Sequence, residues 1–226
     1  MPHKVTIIPY LDDLTAEGCD VGAVNTIFKR QSEDGKTLLV GTNTDVIGIR
    51  EAFFQNISNA NKIFPNRPGM VIGGGGAARS AVYALQRYLH CTPIYLVNRV
   101  AEEVEAVVAE CTAKGFGDGL IHVQTLEQAL KLDAPSAIVA CVPDVLPQTE
   151  NEWQARHVLM TFFSKPEKGV MLEMCYHPSP DTTLGRLAKD ARWNVILGTE
   201  AMIYQGLEQV SAIRPVHCEE ATDARS

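Results

Sequence analysis

No stretch of the 226-residue chain approaches the roughly 18 consecutive apolar residues of a membrane-spanning helix, so no membrane role is expected. Basic residues are in short supply: 20 Lys and Arg against 27 Asp and Glu give a net charge of −7. That balance argues against direct nucleic-acid binding, because phosphate contacts need clustered cations. Cysteines at metal-binding spacing are missing too. The six present (Cys19, Cys91, Cys111, Cys141, Cys175 and Cys218) lie far apart, with no Cys-x-x-Cys pair and no zinc spacing. A chain of this size needs no disulfide staples, so reduced thiols in a cytoplasmic or nuclear setting are expected. The opening Met1-Pro2-His3-Lys4 lacks the basic-then-apolar layout of a secretory signal, which makes secretion unexpected. Tryptophan is scarce, and Trp153 and Trp193 read as packing residues rather than base-stacking platforms.

What is present is globular in kind. Hydrophobic residues at 46% and charged residues at 21% exclude wholesale disorder and collagen-like repeats. The length suits between one and two domains. Asn61–Pro68, with its Asn, Lys and prolines, interrupts the patterning and divides an α/β unit at 1–60 from a larger one at 66–200. In the first unit, Ala23–Lys29 and Thr37–Thr42 read as strands around Ser32–Lys36, whose Asp34-Gly35 pair signals a hairpin. Val46–Ser58 follows with helical spacing. In the second unit short apolar runs (Met70–Ile72, Ile94–Val97, Ile121–Val123, Ala137–Cys141, Gly169–Met174, Val195–Leu197) alternate with helix-like stretches. Such alternation predicts βαβ units and a doubly wound parallel sheet. A last helix is expected from Ala201 to about Glu208, within a C-terminal segment at 201–214 that returns to the first unit. Residues 215–226 carry little apolar material and read as a disordered tail that includes His217.

The strand Met70-Val71-Ile72 runs into Gly73-Gly74-Gly75-Gly76-Ala77-Ala78-Arg79 and then a helix. Gly73, Gly75 and Ala78 fit the G-x-G-x-x-A dinucleotide fingerprint. The first glycine permits the tight turn, the second lets a pyrophosphate approach the backbone, and the small third residue allows close helix–strand packing. Gly76 opens the helix, whose free N–H groups face the anion. The next strand ends in Asn98-Arg99. Since an acid at that place reads the ribose of NAD and an arginine the 2′-phosphate of NADP, Arg99, supported by Arg79, favours NADP and leaves NAD open.

Five motifs occur in the order seen in shikimate dehydrogenases: Met1-Pro2-His3-Lys4, Gly22-Ala23-Val24-Asn25-Thr26, Gly41-Thr42-Asn43-Thr44-Asp45, the glycine-rich turn with Val97-Asn98-Arg99, and Tyr204-Gln205-Gly206. Over about residues 1–209 the chain resembles that family. The stretches 172–178 and 198–209 look most like the dehydrogenase-like region of fungal quinate repressors. The resemblance implies a Rossmann-type NADP domain with a smaller α/β substrate domain. It also implies that Lys4 and Asp45 match the family's acid–base pair, while Asn25 and Gln205 match its ligands to substrate hydroxyls. A Lys held beside a carboxylate can relay a hydroxyl proton while a hydride moves. Two functions follow from the resemblance. One is the regulatory domain of a fungal quinate-pathway transcriptional repressor, which senses quinate, shikimate or their dehydro-derivatives and a nucleotide without useful turnover, with an activator protein as partner. The other is an active NADP-dependent shikimate or quinate dehydrogenase.

Departures from the family pattern favour the sensor. Upstream strands and a Ser-x-Ser carboxylate clamp are missing ahead of Met1, so a truncated substrate domain is expected. Val100 replaces a hydroxyl residue, and Ala201 shortens the side chain expected against the nicotinamide. Cys141-Val142-Pro143 also diverges from bacterial enzymes. His3 and His177 carry no assigned role.

Overall fold

A computed structural model describes residues 3–213 of the chain. Six strands form one wholly parallel sheet: β4 (Gly69–Ile72), β5 (Ile94–Val97), β6 (Leu120–His122), β7 (Ala137–Ala140), β8 (Val170–Glu173) and β9 (Asn194–Leu197). Their spatial order is β6-β5-β4-β7-β8-β9, which within this sheet is the 3-2-1-4-5-6 order of a doubly wound Rossmann-type fold. Helices cover both faces, so every residue of β4, β5, β7 and β8 is buried. Alternate side chains serve opposite cores. Val71, Leu96, Val139 and Leu172 join one cluster, and Met70, Tyr95, Ile138 and Met171 the other.

The crossover helices are α4 (Gly76–Arg87), α5 (Ala101–Ala113), α6 (Leu126–Lys131), α7 (Glu150–Phe163) and α8 (Thr183–Asp190). Thr149 caps α7 by accepting from the N–H of Glu152, while the Glu152 side chain accepts from the N–H of Thr149. Trp193 is buried beside Phe163, as a packing residue should be. Trp153 is not: its side chain is 48% exposed beside His157, because the core-facing stripe of α7 falls on Val158, Leu159, Phe162 and Phe163.

The smaller unit is a three-stranded sheet in the order β1-β3-β2, built from β1 (Asp13–Leu14), β2 (Thr26–Gln31) and β3 (Thr37–Thr42). The hairpin at 32–36 turns on Gly35, whose φ of 80° suits glycine. Helix α1 (Ala16–Val21) is capped by Thr15 and ends at Gly22 in the left-handed conformation. Helix α2 (Asp45–Asn56) buries Val46, Ile49, Ala52 and Phe53 in the core cluster that also covers one face of the large sheet. The junction between the units begins with a short helix, α3 (Ala60–Ile63), where irregular structure is expected from Asn61 onward. The last helix, α9 (Gly198–Ile213), is longer than the expected 201–208 and packs back against α2 and β2. The expected tail at 215–226, with His217, lies outside the described residues.

Candidate functional site

The glycine-rich turn sits at the point where strand order reverses, between the carboxyl ends of β5 and β7. The Gly73 N–H donates to Val97 O at 2.9 Å, and the Cys141 N–H donates to Ile72 O at 2.8 Å. Gly73 has a φ of +119°, a conformation closed to most side chains. A Cβ on Gly75 would meet nothing within 4 Å, so open space lies over the start of α4. That space belongs to a cavity of about 360 Å³ lined by Gly73, Gly74, Gly75, Asn98, Arg99 and Cys141, among others. A turn of this kind, with an unfilled cradle facing a helix N-terminus, fits the pyrophosphate of a dinucleotide.

Lys4 reaches this turn from the smaller unit: a Cβ on Gly76 would lie 3.7 Å from Lys4 Cδ. Its Nζ donates to Asp45 Oδ2 in a part-buried ion pair. Asp45 opens α2, where a carboxylate is favoured by the helix dipole, and is only 7% exposed. Its other oxygen accepts from Asn25 Nδ2 at 2.7 Å, and its N–H donates to Asn43 Oδ1 at 3.1 Å. Asn43, fully buried, donates in turn to Ala23 O and Ser80 Oγ, tying the site to α4. The Val24 N–H donates to Lys4 O at 2.7 Å, which fixes the backbone behind the lysine. The Asn25 amide is occupied, since Nδ2 also donates to Thr44 Oγ1 and Oδ1 accepts from the Thr44 N–H. Its visible work is to orient Asp45.

Gln205, on α9, stands against the first turn of α2, its Cγ within 2.6 Å of where a Gly48 Cβ would lie. The structure thus brings Lys4, Asp45 and Asn25 together, with Gln205 nearby and Gly73, Gly75, Gly76 and Ala78 alongside. Ala201 is 0% exposed, packed into the core cluster with α2 residues, so its methyl faces no cleft. At the end of β7 the Cys141 thiol is pushed up to about 12 by burial and by the nearby Asp45 and Glu173 charges.

The two arginines expected to face a phosphate are each paired with a carboxylate. Arg79 Nε pairs with Glu110 on α5, and Arg79 does not line the cavity over the glycine-rich turn. Arg99 NH1 donates to Glu152 Oε1 on α7. Asn98 Nδ2 donates to Val100 O and, at 2.6 Å, to Glu103 Oε2. Sequence reading missed Glu103 and Glu152. The Thr149-x-x-Glu152 spacing signals a capping box, but nothing local points from Glu152 to Arg99, 53 positions away.

The fold and these residues define a Rossmann-type α/β protein with a lysine–aspartate pair beside its glycine-rich turn. No protein-family model matches the chain. It is 49% identical over 215 residues to the quinate dehydrogenase of Emericella nidulans, covering 92% of this chain and 65% of that protein. Among solved structures, the dehydroquinate dehydratase and shikimate dehydrogenase of S. pombe AroM matches at 30% identity and a TM-score of 0.75. That match covers 94% of this chain and 39% of the other. Shikimate 5-dehydrogenase from Thermus thermophilus, in complex with NADP(H) and shikimate, matches at 27% identity and a TM-score of 0.66. Here 94% of this chain and 70% of the other are covered. The chain belongs to the shikimate/quinate dehydrogenase family.

Proposed function

We propose that the protein is a nicotinamide-nucleotide-dependent dehydrogenase that interconverts a ring alcohol of the quinate or shikimate type and its ketone. The observation that carries this reading is the Lys4–Asp45 pair, set beside the open glycine-rich turn. A bound nicotinamide dinucleotide would supply the hydride acceptor or donor. The chain's residues handle the rest. The backbone around Gly73–Gly76 and the N-terminus of α4 hold the pyrophosphate. Lys4 Nζ exchanges a proton with the substrate oxygen: it takes the hydroxyl proton on oxidation and returns one on reduction. Asp45 holds that amine in place and balances its charge, while Asn25 and Asn43 hold Asp45. Gln205 offers an amide to a further substrate hydroxyl.

Relatives named as dehydrogenases support catalysis over the sensing role that the departures at Val100 and Ala201 suggested. Burial of Ala201 in helix packing also weakens the argument that a shortened side chain spoils the nicotinamide pocket. Absorbance of reduced nicotinamide, followed with quinate and with shikimate, tests the reading. Lys4→Ala should lower turnover about 100- to 10,000-fold, the usual contribution of a positioned acid–base group. A folded, nucleotide-bound protein inert toward both substrates would restore the sensor reading.

A further inference from the structure

Arg99 lines two cavities at once: the 360 Å³ cleft over the glycine-rich turn and a second of about 330 Å³ between the ends of β5 and β6 and the start of α7. It stands between them because its guanidinium crosses from the end of β5 to Glu152. The Glu152 carboxylate is fully engaged. Oε2 accepts from the N–H groups of Gln148 and Thr149, each at 2.9 Å, and Oε1 accepts from Arg99. These bonds hold its pKa down at about 2, so the charge that meets Arg99 is permanent. Glu103, in the first turn of α5, brings a second carboxylate over the turn. A Cβ on Gly74 would lie 3.0 Å from its Oε2. The other cleft guanidinium, Arg156, feels Asp144 and Glu173 instead.

We propose that Glu152 is a specificity-determining residue, which takes the charge of Arg99 and so selects a dinucleotide without a 2′-phosphate, while Glu103 accepts from the free ribose hydroxyl. This rests on the dinucleotide reading above and goes beyond it. In an NAD-selective fold an acid at the end of the second strand receives the ribose hydroxyls. Here Asn98 occupies that strand end and Glu103 reaches the same spot from the next helix. A 2′-phosphate placed there would have to detach Arg99 from Glu152, leaving it against two carboxylates. NAD meets neither obstacle.

Calorimetric titration of the protein with NAD and with NADP tests this without recourse to activity. Glu152→Gln is the informative variant, because Gln also serves at the third position of a capping box and leaves α7 intact. It should raise NADP affinity relative to NAD about tenfold or more, the scale of a charged hydrogen bond released to a new partner. Glu103→Gln should weaken NAD and leave NADP unchanged or tighter. Both nucleotides binding with an unchanged ratio in Glu152→Gln would overturn the assignment and leave the dehydrogenase reading standing. Wild-type preference for NADP would overturn it as well. Failure of both nucleotides to bind the folded protein would overturn the two readings together.

Discussion

Glu173 ends β8 with a carboxylate that is 1% exposed, accepting from the Cys175 N–H at 3.1 Å and from Thr182 Oγ1 at 2.9 Å. Burial raises its pKa to about 7 against an ordinary 4.5, with Asp144 adding to the rise and the two hydrogen bonds and Arg156 opposing it. A raised folded-state pKa means that the native protein holds a proton the unfolded chain has released. The stability this contributes is complete below about pH 4.5 and is lost as pH rises through about 7. The amount is on the order of 3 kcal/mol. Gln at this position can accept from the Cys175 N–H and donate to Thr182 Oγ1, so Glu173→Gln preserves the loop and removes the titration. Urea unfolding from pH 4.5 to 8 should show the variant gaining steadily on the wild type up to pH 7. A constant difference across that range would mean that the carboxylate does not titrate there.

At the scale of elements, α2 and α9 pack closely against each other. A Cβ on Gly48 would lie 2.6 Å from both Ala201 O and Gln205 Cγ. Alanine is intrinsically the better helix former by about 1 kcal/mol, so Gly48→Ala sets propensity against packing. Backbone cannot yield as a flexible side chain does, and overpacking should win, with a net loss of about 1–3 kcal/mol by denaturant unfolding. An increase in stability would show that the two helices separate freely. These elements also show what a sequence reveals. The strands of the large sheet are legible because covering both faces makes each a short apolar run between turns. Strand β1, two residues long, carries no period of its own and exists through pairing with Val40 and Gly41. Helix α9 outruns its expected end because Ile203, Leu207 and Val210 are exposed, which blurs the amphipathic pattern. Within the site, Lys4, Asp45 and the glycine-rich turn are marked by motif, whereas Glu103 and Glu152 acquire meaning only when the fold brings them to Asn98 and Arg99.

For the whole molecule, the cleft over the glycine-rich turn draws on residues as far apart as Ile72, Asn98, Cys141, Glu152 and Leu184. No single element holds the site, so unfolding destroys it and bound nucleotide must add to global stability by mass action. At a concentration one hundred times its dissociation constant, a nucleotide contributes about 2.7 kcal/mol. For a chain of this size that amounts to a rise in Tm of roughly 5–10 °C. Gly75→Asp should abolish the rise. Its Cβ would meet no protein atom, so the fold tolerates it, while the carboxylate would occupy the anion cradle at the start of α4. The variant should therefore melt near the unliganded wild type and ignore NAD and NADP alike. A full thermal shift retained in Gly75→Asp would place the nucleotide somewhere other than the glycine-rich turn.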